Sequence, residues 1–200
     1  MIKLYTELNA DILCLQEIEL ADFENDFGQM CEAMEYDYNR HQVNKKRTSP
    51  IGNVTLWKKN KIKSIKFVEK SCSLINMMQI GEQGLTFQVI NVHLKAGLTS
   101  GEKERHSQLK SILKEKMEPV IICGDFNDEL NENGLLYPLL NEFTLYPRQK
   151  TCTVFDKNFS FDHVVNKGLN IKVDDCNEFE LIPNEFYPSD HMELKFNIFY

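Results

Sequence analysis

Five short stretches put titratable side chains at the ends of apolar runs. "LQE" closes one run with Glu17, and "INVHLK" carries His93 late in another. "GDFND" ends a third with Asp125, Asn127 and Asp128, "FSFDHVV" holds Asp162 and His163, and "YPSDHMELKF" sets Asp190 and His191 before the last run. Carboxylates are costly to bury unless something pairs with them. A buried strand running into Asp125 therefore either ends at the surface or holds a cation at its end. Each stretch alone has a plain reading. Glu17 would be a solvated strand end, "GDFN" and "SDH" turns built on an Asx side chain, and His93 a satisfied strand histidine. All five together, each at a strand end, weaken that plain reading.

Alternation along the chain says which side chains share a side. Asp125 and Asn127 point the same way if the backbone stays extended, and so do Asn91 and His93. On the same argument Lys95 follows His93 to one side of its strand. Adjacent Asp190 and His191 would point opposite ways in a regular strand and can serve one site only where the backbone is irregular. Pro188 just before them favours a loop.

The elements that must carry these residues are readable from periodicity. "IKLYTELN" reads as the end of a helix, and "DILCLQ" as a strand buried on both sides. Leu20, Phe23, Phe27, Met30, Cys31 and Met34 recur at helical spacing. Strands are predicted near 52–58, 62–69, 73–80, 85–94, 119–123, 160–165, 170–175 and 191–199. "SGEKERHSQLKSILKE" predicts a helix with Ser100 as N-cap, and a short helix is expected near 131–141. "HQVNKKRTSPIG" is a polar loop with Lys45, Lys46 and Arg47, while His41 and His106 are expected to be solvated and His163 structural. Strands outnumber the interspersed helices, which suggests two packed sheets with helices outside.

The chain has 200 residues, 42% hydrophobic and 26% charged, with a net charge of −7. One domain over 1–200 with a sizeable core fits that length. The acidic balance argues against holding nucleic acid by bulk electrostatics, though a bound divalent cation would change the local field. Six cysteines are scattered without a C-x-x-C pair, so reduced thiols are expected, with Cys14 and Cys123 acting as small hydrophobes in strands. The N-terminus, "MIKLYTELNADILCLQE", has no apolar stretch long enough for a signal-peptide core or a membrane span, which leads us to expect an intracellular, cytoplasmic protein without membrane contact.

With these residues in place, the chain resembles the endonuclease/exonuclease/phosphatase superfamily. "DILCLQEIE", "GNVTLWKKNKI", "INVHLKAG", "IICGDFND", "FDHV" and "YPSDHMELKF" run in that family's order across nearly the whole chain. "VHLKAG" followed by Arg105 and Gln108, and the ending "FYPSDH", resemble its deadenylase-related branch, with nocturnin- and Angel-like members. The resemblance implies a four-layer α/β sandwich, two mixed sheets flanked by helices. It implies Glu17 as a Mg²⁺ ligand, with Mn²⁺ as a substitute, and Asp190 supporting the metal. It further implies Asp125 on the attacking water, Asn127 and His93 on the phosphate, and Asp162 and His191 as an oriented pair. Lys95 is expected on a substrate phosphate. These residue types suit phosphoryl transfer, which needs charge neutralisation and positioning rather than a covalent nucleophile.

Two departures accompany the resemblance. The family's first strand, with its metal-side asparagine, has no counterpart here, so the domain is expected to be N-terminally incomplete, with an exposed strand edge. Phe161-Asp162-His163-Val164 stands where the deadenylases usually have I-D-Y-I. The leading expectation is a Mg²⁺-dependent 3′–5′ exoribonuclease, deadenylase-like, acting on an RNA 3′ end or a nucleotide as a monomer or as a subunit of an RNA-decay complex. A phosphatase for a nucleotide or RNA terminal phosphate is the second reading. The third is a catalytically impaired interaction protein that keeps the fold.

Overall fold

A computed structural model describes residues 2–43, 50–82, 84–97, 99–146, 150–154, 157–174, 183 and 189–199. Lys45, Lys46, Arg47, Cys176 and Pro188 lie outside these. The chain starts with α1 (Ile2–Leu8), β1 (Ile12–Glu19), α2 (Phe23–Ala33), β2 (Tyr36–Gln42) and β3 (Ile51–Lys58). It continues through β4 (Ile62–Lys70), β5 (Ser73–Ile80), β6 (Thr86–His93), α3 (Glu102–Leu113) and β7 (Val120–Asp125). A 3₁₀ turn at Tyr137–Leu140 precedes β8 (Thr144–Leu145), β9 (Cys152–Val154), β10 (Lys157–Phe159), β11 (Asp162–Lys167), β12 (Asn170–Val173) and β13 (Phe196–Phe199).

Two sheets face each other. One has the order β1-β3-β2, and the other β4-β5-β6-β7-β11-β8. The second is mixed, because β6 and β7 run parallel with α3 as their crossover while the remaining neighbours are antiparallel. Strands β12 and β13 pair separately, and among the described residues β1 pairs only with β3 and forms an edge.

Three apolar clusters fill the layers. Phe23, Phe27, Met30 and Cys31 of α2 pack on Leu13, Leu15, Val54 and Leu56 of the smaller sheet. Leu109 and Ile112 of α3 pack with Leu136 and Leu140 on Ile90, Val92, Val120 and Ile122 of the larger one. Trp57, Met78, Phe87, Val89, Ile121 and Val164 form a cluster to which both sheets contribute. Each fully buried large side chain contributes roughly 1.5–3 kcal/mol to folding. The result is the expected sandwich, helices outside two sheets.

The details differ where tertiary context overrides local signals. The N-cap of α3 is Gly101, not Ser100, because Gly101 N–H closes a turn on Gly97 O (3.0 Å) and a Cβ there would meet Arg105 Nη1 at 2.7 Å. The helix expected over 131–141 shrinks to the 3₁₀ turn, since Asn131 and Gly134 close a turn of their own (2.8 Å). Strand β2 is absent from the expected elements because "YDYNRHQ" is polar, yet it pairs with β3 along its length. His41 is not solvated: it is buried at 7% exposure, with Nδ1 3.1 Å from Glu69 Oε2. Strand β6 ends at His93, so alternation does not reach Lys95, an exposed residue in the loop beyond.

Candidate active site

Strand register builds the site. His93 of β6 lies directly opposite Asp125 of β7, and Asp125 directly opposite Asp162 of β11. Residues in register on neighbouring strands project to the same face. His93, Asp125 and Asp162 therefore form one rung across three adjacent strands. His93 Nε2 lies 3.6 Å from Asp125 Oδ2. The rung can close because Gly124 has φ +126, and a Cβ there would stand 2.2 Å from Val92 O.

Glu17 reaches the rung from the opposite sheet. The β1–β3 register slips between Leu15 and Ile18, and Glu17 at φ 56 turns its carboxylate out of the strand. Its Oε1 lies 3.9 Å from His93 Nε2, and its side chain is 71% exposed. The reach is set one residue earlier. Gln16 Nε2 donates to Asn91 Oδ1 at 2.7 Å, while Asn91 Nδ2 donates to Leu15 O (3.1 Å) and Val54 O (3.0 Å). Asn53 Nδ2 adds bonds to Cys72 O (3.4 Å) and Asn91 O (3.3 Å). This polar seam clips the sheets together directly beneath Glu17 and His93.

Beyond β7 the chain turns. Asn127 at φ 50 donates its backbone N–H to Asp125 Oδ1 (2.7 Å), and its Nδ2 to Asp125 Oδ2 (2.9 Å) and Leu94 O (3.0 Å). Asn127 therefore meets Asp125 through a turn, not through strand extension, and its amide hydrogens are spent within the protein. His191 comes from an irregular segment. It bridges Cys152 of β9, and its Nδ1 donates to Asp162 Oδ2 at 2.8 Å. Asp190 is exposed, and its N-terminal neighbour Ser189 accepts the His191 N–H at 3.1 Å.

The electrostatics follow from burial and like charge. Burial, then the Asp162 carboxylate, push the Asp125 carboxyl up to about 7 against the counter-pull of His191 and the Asn127 N–H. Burial alone would lower His191. Hydrogen bonding and charge from Asp162, helped by Asp125 and Asp190, override it and lift the imidazole to about 9. Burial lowers His93, opposed chiefly by Glu17.

Oxygen donors from Glu17 and Asp125 fit a hard divalent cation. Glu17 would hold the ion, with Asp125 beside it. Asp190 contributes its field at His191.

Residues outside the expected set also shape the site. Arg105, 2% exposed, donates through Nη1 to Lys95 O (3.1 Å) and Gly97 O (2.6 Å), and its Nη2 meets Asp128 Oδ2 at 3.4 Å. Gln108 Oε1 accepts from Lys95 N at 2.8 Å. The Arg105/Gln108 pair thus braces the loop that follows His93. His163 is buried, with Nε2 2.8 Å from Asp128 O and its ring edge-on to Phe126. The family resemblance pointed to Arg105 and Gln108, but no local signal singled out Gln16 or Asn53. Among the described residues no helix is long and apolar enough to cross a membrane.

A sequence model described as the Endonuclease/Exonuclease/phosphatase family matches residues 1–191. A curated relative, the UPF0294 protein of Vibrio campbellii, is 28% identical over 180 residues, covering 82% of this chain and 61% of its own length. The chain thus spans less than two thirds of that relative. The human nocturnin catalytic domain, solved with bound sulfate, superposes with a TM-score of 0.76 at 20% identity, covering 99% of this chain and 84% of its own. ANGEL2, a 2′,3′-cyclic phosphatase solved with adenosine-2′,3′-vanadate, gives 0.72 at 16% identity, covering 96% and 83%.

Proposed function

The chain belongs to the endonuclease/exonuclease/phosphatase family, and on that premise we propose that it is a Mg²⁺-dependent phosphohydrolase, deadenylase-like, that cleaves phosphodiester bonds at RNA 3′ ends. The observation that carries the reading is the rung His93–Asp125–Asp162 with Glu17 and His191 closing on it. Three carboxylates and two imidazoles surround one spot where a phosphate can sit between proton donors and a water-holding base.

Each residue then has a role. Asp125, held by Asn127, would orient the attacking water and accept its proton. His191, fixed by Asp162 and kept charged, donates to a non-bridging phosphate oxygen. His93 is a second donor from the opposite side, and Asn127 acts by positioning Asp125. Lys95, exposed in the loop after His93, would contact a further phosphate of a polymer. Glu17 would hold Mg²⁺ or Mn²⁺, with Asp190 supporting it through charge, and the bound cation would neutralise phosphate charge and lower the pKa of water.

A phosphatase acting on a nucleotide or RNA terminal phosphate uses the same groups, and similarity to ANGEL2 favours keeping it as the second reading. The test is a panel of oligo(A), mixed RNA, terminal-phosphate RNA and NADP with Mg²⁺ or Mn²⁺, run beside Glu17→Gln. Release of AMP from oligo(A) that needs metal and falls in Glu17→Gln at limiting Mg²⁺ supports the first reading. Phosphate release alone supports the second. No turnover on any substrate leaves the fold serving an interaction role.

A further inference from the structure

One group in the site is not used by this chemistry. Cys152 is fully buried on β9, directly bridged to His191, and its Sγ lies with the Asp162 carboxylate and a ring nitrogen of His191 within 4.8 Å of one another. We propose that Cys152, Asp162 and His191 form a second cation site, selective for thiophilic divalent ions such as Zn²⁺, and that filling it silences the enzyme.

The donor set supports the selectivity. Glu17 and Asp125 offer oxygen alone, which suits Mg²⁺. Sulfur, nitrogen and oxygen within one small triangle suit Zn²⁺, which takes tetrahedral sites of three protein ligands plus a water. Cys152 Sγ makes a long contact to Phe159 O at 3.7 Å, and burial with the charges of Asp162, Asp125 and Asp190 pushes the thiol up to about 12, so an ion there must displace its proton. The backbone around it is already fixed. Thr153 N–H donates to Asp190 O (3.0 Å), Met192 N–H to Thr151 O (2.7 Å), and Asp162 N–H to Thr151 Oγ1 (3.1 Å). These bonds bind β9, β11 and the His191 segment into one frame, so the backbone that carries the three donors is fixed before an ion arrives.

Coordination has a definite chemical balance. The thiol and the His191 imidazolium each lose a proton to solvent, as the M–S bond forms and the freed ring-nitrogen lone pair meets the ion. Asp162 and His191 Nδ1 stand only 2.8 Å apart as hydrogen-bond partners, so both cannot bind an ion and keep that bond. A thiophilic ion therefore unhooks His191 from Asp162 and removes the phosphate-facing donor.

The inhibitory consequence rests on the hydrolase reading, but binding does not, so the test measures them separately. Metal-free protein is titrated with Co²⁺, whose thiolate complexes show a sulfur-to-metal charge-transfer band. The expected result is such a band in the wild type, lost in Cys152→Ser and in Cys152→Ala, with Zn²⁺ competing it away. No band in the wild type, or the same band in a folded Cys152 variant, overturns the site. Should both variants fail to fold, an anomalous-scattering map of Zn²⁺-soaked wild-type crystals decides by showing zinc on Cys152 or elsewhere. In the activity arm, run with excess Mg²⁺, the Zn²⁺ concentration for half-inhibition should rise at least ~10-fold in Cys152→Ser. Equal Zn²⁺ sensitivity of the two proteins overturns the inhibitory role, whatever the spectra show.

Discussion

Gln16 Nε2 donates to Asn91 Oδ1 at 2.7 Å, and this bond joins the two sheets one residue from Glu17 and two from His93. Neither residue touches the reacting centre, but together they fix the gap between a carboxylate on one sheet and an imidazole on the other. Asn91 is fully buried and satisfied on both its oxygen and its nitrogen. Asn91→Ala removes the side-chain donor to Leu15 O and Val54 O and leaves the Gln16 amide only its bond to Cys14 O (3.1 Å), and should destabilise the protein by about 2–4 kcal/mol. The affinity for Mg²⁺ should fall as well, because Glu17 loses its support. Denaturant midpoints and a Mg²⁺ titration check this. Unchanged Mg²⁺ affinity in a folded Asn91→Ala protein would show that the seam is structural only.

Asp162→Asn removes the charge that raises His191. The His191 midpoint, lifted to about 9 in the metal-free protein, should drop towards or below its ordinary 6.5, because burial then acts with less opposition. Turnover should fall by ~10²–10⁴. A proton NMR titration of the histidine follows the first effect. An unshifted midpoint would separate His191 from Asp162 in solution.

Stability of the metal-free protein should fall as pH rises. The Asp125 carboxyl is held at about 7 against an ordinary 3.8, so its contribution is fully present below 3.8 and lost through about 7. His191, held at about 9, contributes fully below 6.5 and loses this through about 9. Asp125→Asn cannot ionise and removes the lower step. Its Tm relative to wild type should therefore be higher at about pH 8 than at about pH 5. Parallel Tm curves for the two proteins would argue against a protonated Asp125.

Arg105→Ala should cost about 3 kcal/mol, since it frees the Lys95 and Gly97 carbonyls and leaves Asp128 without its buried cation. The loop carrying Lys95 loses its brace, so KM for an RNA substrate should rise more than kcat falls. A variant with normal KM and lowered kcat would place Arg105's influence on Asp128 and the β7 turn instead.

Much of this was written locally in the chain. The apolar runs of β1, β6 and β7, and the polar residues that end them, follow from alternation and from the cost of burying a carboxylate. The order of "LQE", "VHL", "GDFN", "FDHV" and "SDH" carried the resemblance to the family, and with it the expectation that Glu17, His93, Asp125, Asp162 and His191 form the site. The strand that local polarity concealed, β2, is held by its pairing with β3, and the burial of His41 by Glu69 from another sheet. Register was likewise out of reach. That His93, Asp125 and Asp162 fall on one rung depends on parallel pairing of β6 with β7 and antiparallel pairing of β7 with β11, which no local pattern encodes. Asn127 was expected beside Asp125 through an extended backbone, but the contact is made by a left-handed turn, since Asp125's carboxylate captures the Asn127 N–H. Residue types and their order are carried by the chain itself. The distances at which Glu17 faces His93, and Cys152 faces His191, come from two sheets and a bridge that exist only once the chain has folded, because a hydrogen bond between distant strands has no sequence signature of its own.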